Sequence, residues 1–277
     1  MRLHRFFIKD KIHPAEKVTL RYFNYDSILN QWQKVFRYLA GSRVVLFDGS
    51  GFDYLAIIEK MDSAGAVLRV LETNKTVVME EKTTVKKSEK KKLAGNCEID
   101  GNTVKNTKET PKVRVTMLMS LIKNDNFDLV LQKATELGVS EILPIITERT
   151  IKKDLNMARS QRILVEASEQ CGRSDVPVIN PIKKLADAVK ELGSVVSEAG
   201  KGSVGVFVCN QNGLNINDIL KKKNSYTDLI FLIGPEGGWS PKELKMFEDA
   251  KIKSVKINQN VLRAETAAIA LLAVVLQ

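Results

Sequence analysis

Cysteine is scarce in this sequence, histidine is scarcer, and neither is arranged for chemistry. Cys97, Cys171 and Cys209 are far apart and in no CxxC or CxxH spacing. That pattern leaves no basis for a disulfide framework or a zinc site and suits a reducing compartment. His4 and His13 lie near the N-terminus, outside every motif below, and are assigned no role. Long apolar runs are missing too. The most apolar segment, Ala267 to Leu276, directly follows Arg263 and Glu265; it is half the ~20 residues that span a bilayer and reads as a buried helix. The first ten residues contain no apolar signal core. The expectation is a cytoplasmic protein with no membrane segment and no metal. Neither a Walker A loop nor a Gly-x-Gly-x-x-Gly fingerprint occurs, so the common phosphate-cradling loops are excluded.

What is present is enough apolar material for two ordinary domains: 277 residues, 44% hydrophobic. Lys and Arg number 43 against 33 Asp and Glu, a net charge of +10. A basic excess favours an anionic partner such as nucleic acid.

The first eighty residues read mainly as short strands. Arg43 to Phe47 closes in an Asp48-Gly49-Ser50-Gly51 turn, and Tyr54 to Glu59 follows as the second arm of a hairpin. Ala66 to Glu72 and Thr76 to Met79 are predicted as further strands. Short strands joined by glycine turns suggest a small β-barrel, over residues 1–82. Residues 83–110 change character: lysines 86, 87, 90, 91, 92, 105 and 108 outnumber the acids, with no aromatic residue. Such a stretch buries too little to offset its ordering entropy and is read as a linker or insertion. From 111 to 277 strands alternate with helices, which predicts an α/β domain on a parallel sheet. Its strands are placed at Val113 to Leu121, Ile142 to Ile146, Val204 to Val208, Leu229 to Ile233 and Ser254 to Ile257. The helices are placed at Phe127 to Gly138, Leu155 to Cys171, Leu185 to Leu192, Leu214 to Lys221, Pro241 to Ala250 and Glu265 to Leu276.

Two strand ends carry the chemistry. The first is Ile233-Gly234-Pro235-Glu236-Gly237-Gly238-Trp239-Ser240. Its glycines let backbone groups approach a ligand, at the carboxyl end of a strand, where open α/β sheets bind ligands. Ser240, Pro241 and Glu243 predict a capped helix start after it. The second is Ile257-Asn258-Gln259-Asn260-Val261-Leu262-Arg263-Ala264-Glu265. Glu265 in a first helical turn is favoured by the helix dipole alone; Arg263 has no such simple explanation.

Gly234 to Gly238, followed by Val261-Leu262-Arg263-Ala264-Glu265-Thr266-Ala267, resembles the cofactor-binding half of the RsmE family of 16S ribosomal RNA (uracil-N3)-methyltransferases. Further blocks in family order are Arg5-Phe6-Phe7, Val44 to Gly51, Lys123, Gln132 to Val139, Glu148-Arg149, and Glu169 to Arg173 with Val176-Pro177. The chain carries Ile257-Asn258 where the family has Leu-Gly, and Asn260 where it has Arg. The resemblance implies an α/β fold in which a PUA-like β-barrel RNA-binding domain precedes a SPOUT methyltransferase domain with a trefoil knot. It implies a homodimer, S-adenosyl-L-methionine as cofactor, and 16S rRNA within the small ribosomal subunit as substrate. Ile233, Gly234, Pro235, Glu236, Gly237, Gly238, Ile257, Asn260, Val261 and Leu262 are the implied cofactor residues. Arg263 is the candidate for stabilising negative charge on the base, and Glu236 or Glu265 for accepting its proton. Arg5, Lys123, Arg149 and Arg173 are candidates for RNA phosphates. The alternatives are another ribosomal or transfer RNA site, or a non-catalytic RNA-binding protein.

Overall fold

The computed structural model describes residues 3–13, 17–74, 113–198 and 204–276. The expected strand at Thr76 to Met79, the lysine-rich segment 83–110 and both boundaries around it lie outside the described residues.

The N-terminal unit is a curled five-stranded sheet. Its strands are β1 (Arg5–Phe7), β2 (Lys17–Arg21), β3 (Arg43–Phe47), β4 (Asp53–Asp62) and β5 (Gly65–Asn74), in the order β1-β3-β4-β5-β2. The hairpin read from the sequence is the antiparallel β3–β4 pair, with Val45 opposite Leu55. One element was not anticipated. Helix α1 (Tyr22–Gln31) runs into a π-helical turn, Trp32–Phe36, which ends where Arg37 adopts φ 53°. Tyr25, Leu29 and Trp32 are buried at helical spacing in one cluster with Phe6 and Leu68 of the sheet and Ile8 just after β1.

The C-terminal unit contains β6 (Arg114–Ser120), α2 (Asn124–Leu137), β7 (Glu141–Ile146), α3 (Met157–Cys171), β8 (Val178–Ile179), β9 (Lys183–Lys184), α4 (Leu185–Glu198), β10 (Val204–Asn215), α5 (Ile216–Leu220), β11 (Asp228–Ile233), α6 (Pro241–Asp249), β12 (Lys253–Lys256) and α7 (Ala264–Val275). Its sheet is parallel, in the order β12-β10-β11-β6-β7-β8, with β9 also against β7. The strands are apolar on both faces because both faces are covered. Met117, Met119, Phe231 and Ile233 meet Phe127, Leu131, Leu271 and Leu272 on one side. Leu118, Val206, Val208 and Leu232 meet Leu185, Val189 and Phe247 on the other. Among the described residues no helix is long and apolar enough to cross a membrane.

Strand β10 departs from the sequence reading, which ended the strand at Val208. It continues to Asn215 with a bulge: Cys209 and Leu214 both register against Val255. The bulge needs Gly213, whose Cβ would lie 2.4 Å from the Val255 backbone nitrogen. Asn210 and Gln211 are thereby carried to the carboxyl end of the sheet.

The two units meet at a polar seam. Asp53, 0% exposed, pairs with Arg5, which is 8% exposed and also donates to the Arg173 carbonyl at 2.9 Å. Ser174 Oγ donates to Asp53 Oδ1 at 2.8 Å, and the Phe7 N–H donates to Glu169 Oε1 at 2.8 Å. Burial raises the Glu169 carboxyl to about 7 from 4.5, against the opposing pull of the Phe7 N–H and with added repulsion from Glu166. A raised carboxyl favours the folded state while protonated, so its contribution is full below pH 4.5 and lost as pH rises through about 7. Glu169→Gln should therefore flatten the stability profile: the wild type loses about 2 kcal/mol more than the variant across that window, allowing for partial solvent screening. Urea denaturation at a series of pH values measures this, and parallel profiles would contradict it.

Candidate active site

The carboxyl ends of the parallel strands open into a cavity of about 900 Å³. Leu121, Ile122 and Lys123 continue β6. Cys209, Asn210 and Gln211 come from the β10 bulge. Ile233 ends β11, and Gly234, Pro235, Glu236, Gly238 and Trp239 follow it. Lys256 ends β12, and Ile257, Asn258, Val261, Leu262, Arg263 and Glu265 follow it and enter α7. The two motif segments, separated in sequence by α6 and β12, thus line one space.

The glycine loop is held from several sides. The Gly238 N–H donates to the Pro235 carbonyl at 2.9 Å, and Gly238 takes φ 66°, a left-handed conformation open to glycine. A Cβ on Gly234 would sit 3.1 Å from the Trp239 ring, which is itself anchored by an Nε1–H bond to the Cys209 carbonyl at 2.9 Å. The expected capping box is present: Ser240 Oγ accepts from the Glu243 N–H, and Glu243 Oε2 accepts from the Ser240 N–H at 2.8 Å. The loop after β7 braces this corner. The Glu148 N–H donates to Glu243 Oε1 at 2.7 Å, Ser240 Oγ donates to Glu148 Oε2 at 2.6 Å, and Arg149 Nη1 donates to the Gly237 carbonyl at 2.7 Å.

The candidate residues divide by placement. Ile233, Gly234, Pro235, Glu236, Gly238, Ile257, Val261, Leu262, Arg263 and Glu265 all line the cavity. Gly237 and Asn260 sit just outside its lining; each offers its carbonyl to a neighbour, Arg149 and Gln211 respectively. Of the four candidates for RNA phosphates, Lys123 lines the cavity and Arg149 braces its glycine loop. Arg5 and Arg173 have a different setting. Arg5 is buried against Asp53, while Arg173 Nη1 donates to the Thr135 and Val139 carbonyls at 2.9 and 2.8 Å, closing the end of α2. Sequence reasoning gave Trp239 no role of its own within the glycine segment and passed over Ile151, Lys152 and the Cys209–Gln211 segment. Only the polar run Asn210-Gln211-Asn212-Gly213 directly after a buried strand signalled the last of these. Burial pushes the Cys209 thiol up to about 12, which disfavours the nucleophilic thiolate. Among the described residues no cluster of His, Cys, Asp and Glu is placed to hold a metal.

Residues 108–276 match the pattern that defines the RNA methyltransferase domain family. A ribosomal RNA small subunit methyltransferase E from Mesomycoplasma hyopneumoniae is 30% identical over 170 residues, 58% of this chain and 69% of that protein. The chain is a member of the ribosomal RNA small subunit methyltransferase E family. Its relative in Rickettsia conorii is 32% identical over 165 residues, covering 58% of this chain and 64% of that protein, under two thirds of its length. The crystal structure of a ribosomal RNA small subunit methyltransferase E from Neisseria gonorrhoeae bound to S-adenosyl methionine matches with a TM-score of 0.74. That match is 25% identical and covers 99% of this chain and 96% of the other. The fold class expected from the motifs, an α/β SPOUT methyltransferase domain behind a small barrel-like sheet, is the one this member of the family has.

Proposed function

We propose that the chain is an S-adenosyl-L-methionine-dependent methyltransferase that modifies N3 of a uridine in the 16S rRNA of the small ribosomal subunit, acting as a cytoplasmic homodimer. One observation carries the reading: the glycine loop after β11 and the polar loop after β12 converge on a single cavity at the carboxyl ends of the strands.

The residues present suit the cofactor. Gly234 and Gly238 leave backbone exposed where a side chain would clash or be strained. Leu121, Ile122, Ile233 and Leu262 offer apolar walls, and Asn210, Gln211 and Asn258 offer polar edges. Residues 233–238 and 257–262 would hold the cofactor. When bound, it supplies a methyl group made electrophilic by a sulfonium. The protein's own task is to present the acceptor. Uracil N3 carries a proton and is a poor nucleophile until that proton leaves. Arg263 is exposed on the cavity, where its guanidinium can stabilise negative charge on the ring carbonyls. Glu236 and Glu265 are the two carboxylates on the lining that can accept the proton. Lys123 and Lys152 add positive charge for the RNA backbone.

The test is to incubate the protein and cofactor with small subunits from a strain lacking this chain, then map the RNA by reverse transcription. A methyl on N3 blocks pairing, so the expected result is one new stop in 16S rRNA. A stop in another ribosomal or transfer RNA would move the substrate, and absence of any methyl transfer would overturn the reading.

A further inference from the structure

Two β-branched side chains stand almost wholly in solvent at the cavity: Ile151 is 93% exposed and Val261 is 83% exposed. Exposed apolar residues scattered singly need no explanation. These two come from different loops, after β7 and after β12, and border the same space. Both loops are held in place. Ile151 directly follows the Arg149 brace and a pair of interlocked threonines, in which the Thr147 N–H donates to Thr150 Oγ1 at 2.9 Å. Val261 follows Asn260, whose carbonyl accepts from Gln211 at 2.9 Å.

Glu265 supplies the second observation. It is 8% exposed and lines the cavity, and its Oε2 has no hydrogen-bond partner among the described residues. The dipole of α7 favours a carboxylate there but provides that oxygen with no donor. An unmatched buried acceptor is costly, and Glu265 is set apart from the other such groups by lining the cavity, where a ligand bringing an N–H or O–H can meet it. Glu236 contrasts with it: it is exposed and already accepts the Lys123 backbone N–H at 3.4 Å. With Lys123 and Lys152 on the same lining, the cavity offers apolar faces, one buried acceptor and cations. That set complements a nucleotide with a flat ring, an edge N–H and a phosphate backbone.

We propose that the target uracil enters along the rim formed by Ile151 and Val261 and donates its N3–H to Glu265 Oε2. Glu265 then takes the proton. The N3–H bond breaks, its electron pair stays on N3, an O–H bond forms on the carboxylate, and the negative charge spreads over the ring carbonyls. Ile151 and Val261 hold the unstacked ring by apolar contact. This assignment rests on the uridine methyltransferase reading above and chooses between its two carboxylates.

The experiment compares the binding of two labelled oligonucleotides to the full chain, hexauridylate and its fully N3-methylated counterpart, with no methyl transfer needed. The wild type should prefer the unmethylated form by roughly tenfold or more, because the methylated ring has no donor for Glu265. Glu265→Ala should erase the preference. Ile151→Asp should weaken both oligonucleotides together. Glu265→Gln, closer in shape, replaces Glu265→Ala if that variant does not fold, and should bind RNA while losing methyl transfer. Equal affinity of the wild type for both oligonucleotides, binding of neither, a preference that survives in a folded Glu265→Ala, or a Glu265→Gln that retains methyl transfer would overturn the proposal. Calorimetry of the same variant with S-adenosylmethionine separates the two levels of the account. Cofactor affinity unchanged from wild type supports the assignment. Cofactor affinity lost only in the variant would place Glu265 on the cofactor and sink the assignment alone, whereas a wild type that binds no cofactor would sink the function itself.

Discussion

Arg263→Ala should lower the single-turnover rate of methyl transfer by about 100-fold or more, in the range lost when one donor to a developing anion is removed. Cofactor affinity should stay within about threefold of wild type, since the residue acts on charge that appears on the base. The reason lies in placement. Arg263 precedes the first residue of α7, is exposed on the cavity, and has its own backbone carbonyl tied to the Ala267 N–H at 2.8 Å. The backbone is fixed while the side chain remains available to substrate. Arg263→Lys keeps the charge but loses the planar fork, and should recover only part of the rate. A rate within a few-fold of wild type, or a loss explained wholly by weaker cofactor binding, would remove Arg263 from the chemistry.

Asp53→Ala should destabilise the protein by about 3–5 kcal/mol, because it leaves the Arg5 guanidinium buried without its counter-charge. The pair is the centre of the seam between the two sheets. Asp53 also receives Ser174 Oγ, and Arg5 also reaches the Arg173 carbonyl, so one substitution disturbs bonds to both units. Urea denaturation at neutral pH reads the loss. Asp53→Asn, which can still accept from Arg5 without carrying charge, should fall between the two. A cost below about 1 kcal/mol, typical of an exposed pair, would show that the seam is solvated.

Arg263 and the Arg5–Asp53 pair also mark the limits of reading this chain from its sequence. Arg263 was legible because its signal is local: a strand ends, a polar loop follows, and an apolar helix begins at the next residue. The glycine loop and the Ser240 capping box were legible for the same reason, as was β11, whose continuous apolar run from Leu229 to Ile233 matches a sheet covered on both faces. Arg5 was not. A lone arginine beside Phe6 and Phe7 reads as surface charge until Asp53, 48 residues away, is folded against it. The β10 bulge was hidden likewise, because the contact that demands Gly213 is made by Val255 on another strand. Helix α1 was obscured by its setting among short strands and glycine turns, although Tyr25, Leu29 and Trp32 have helical spacing. Ile151 and Lys152 join the site only because the loop after β7 is pinned to Gly237 through Arg149. Non-local pairing decided each of these positions.

The most direct test is calorimetric titration of the intact chain with S-adenosyl-L-methionine. Saturable binding of one cofactor per chain is expected, with the intrinsic fluorescence of Trp239 perturbed because its ring lines the same cavity. Absence of binding at millimolar cofactor, with the protein folded, would contradict the assignment of the cavity and with it the proposed methyl transfer.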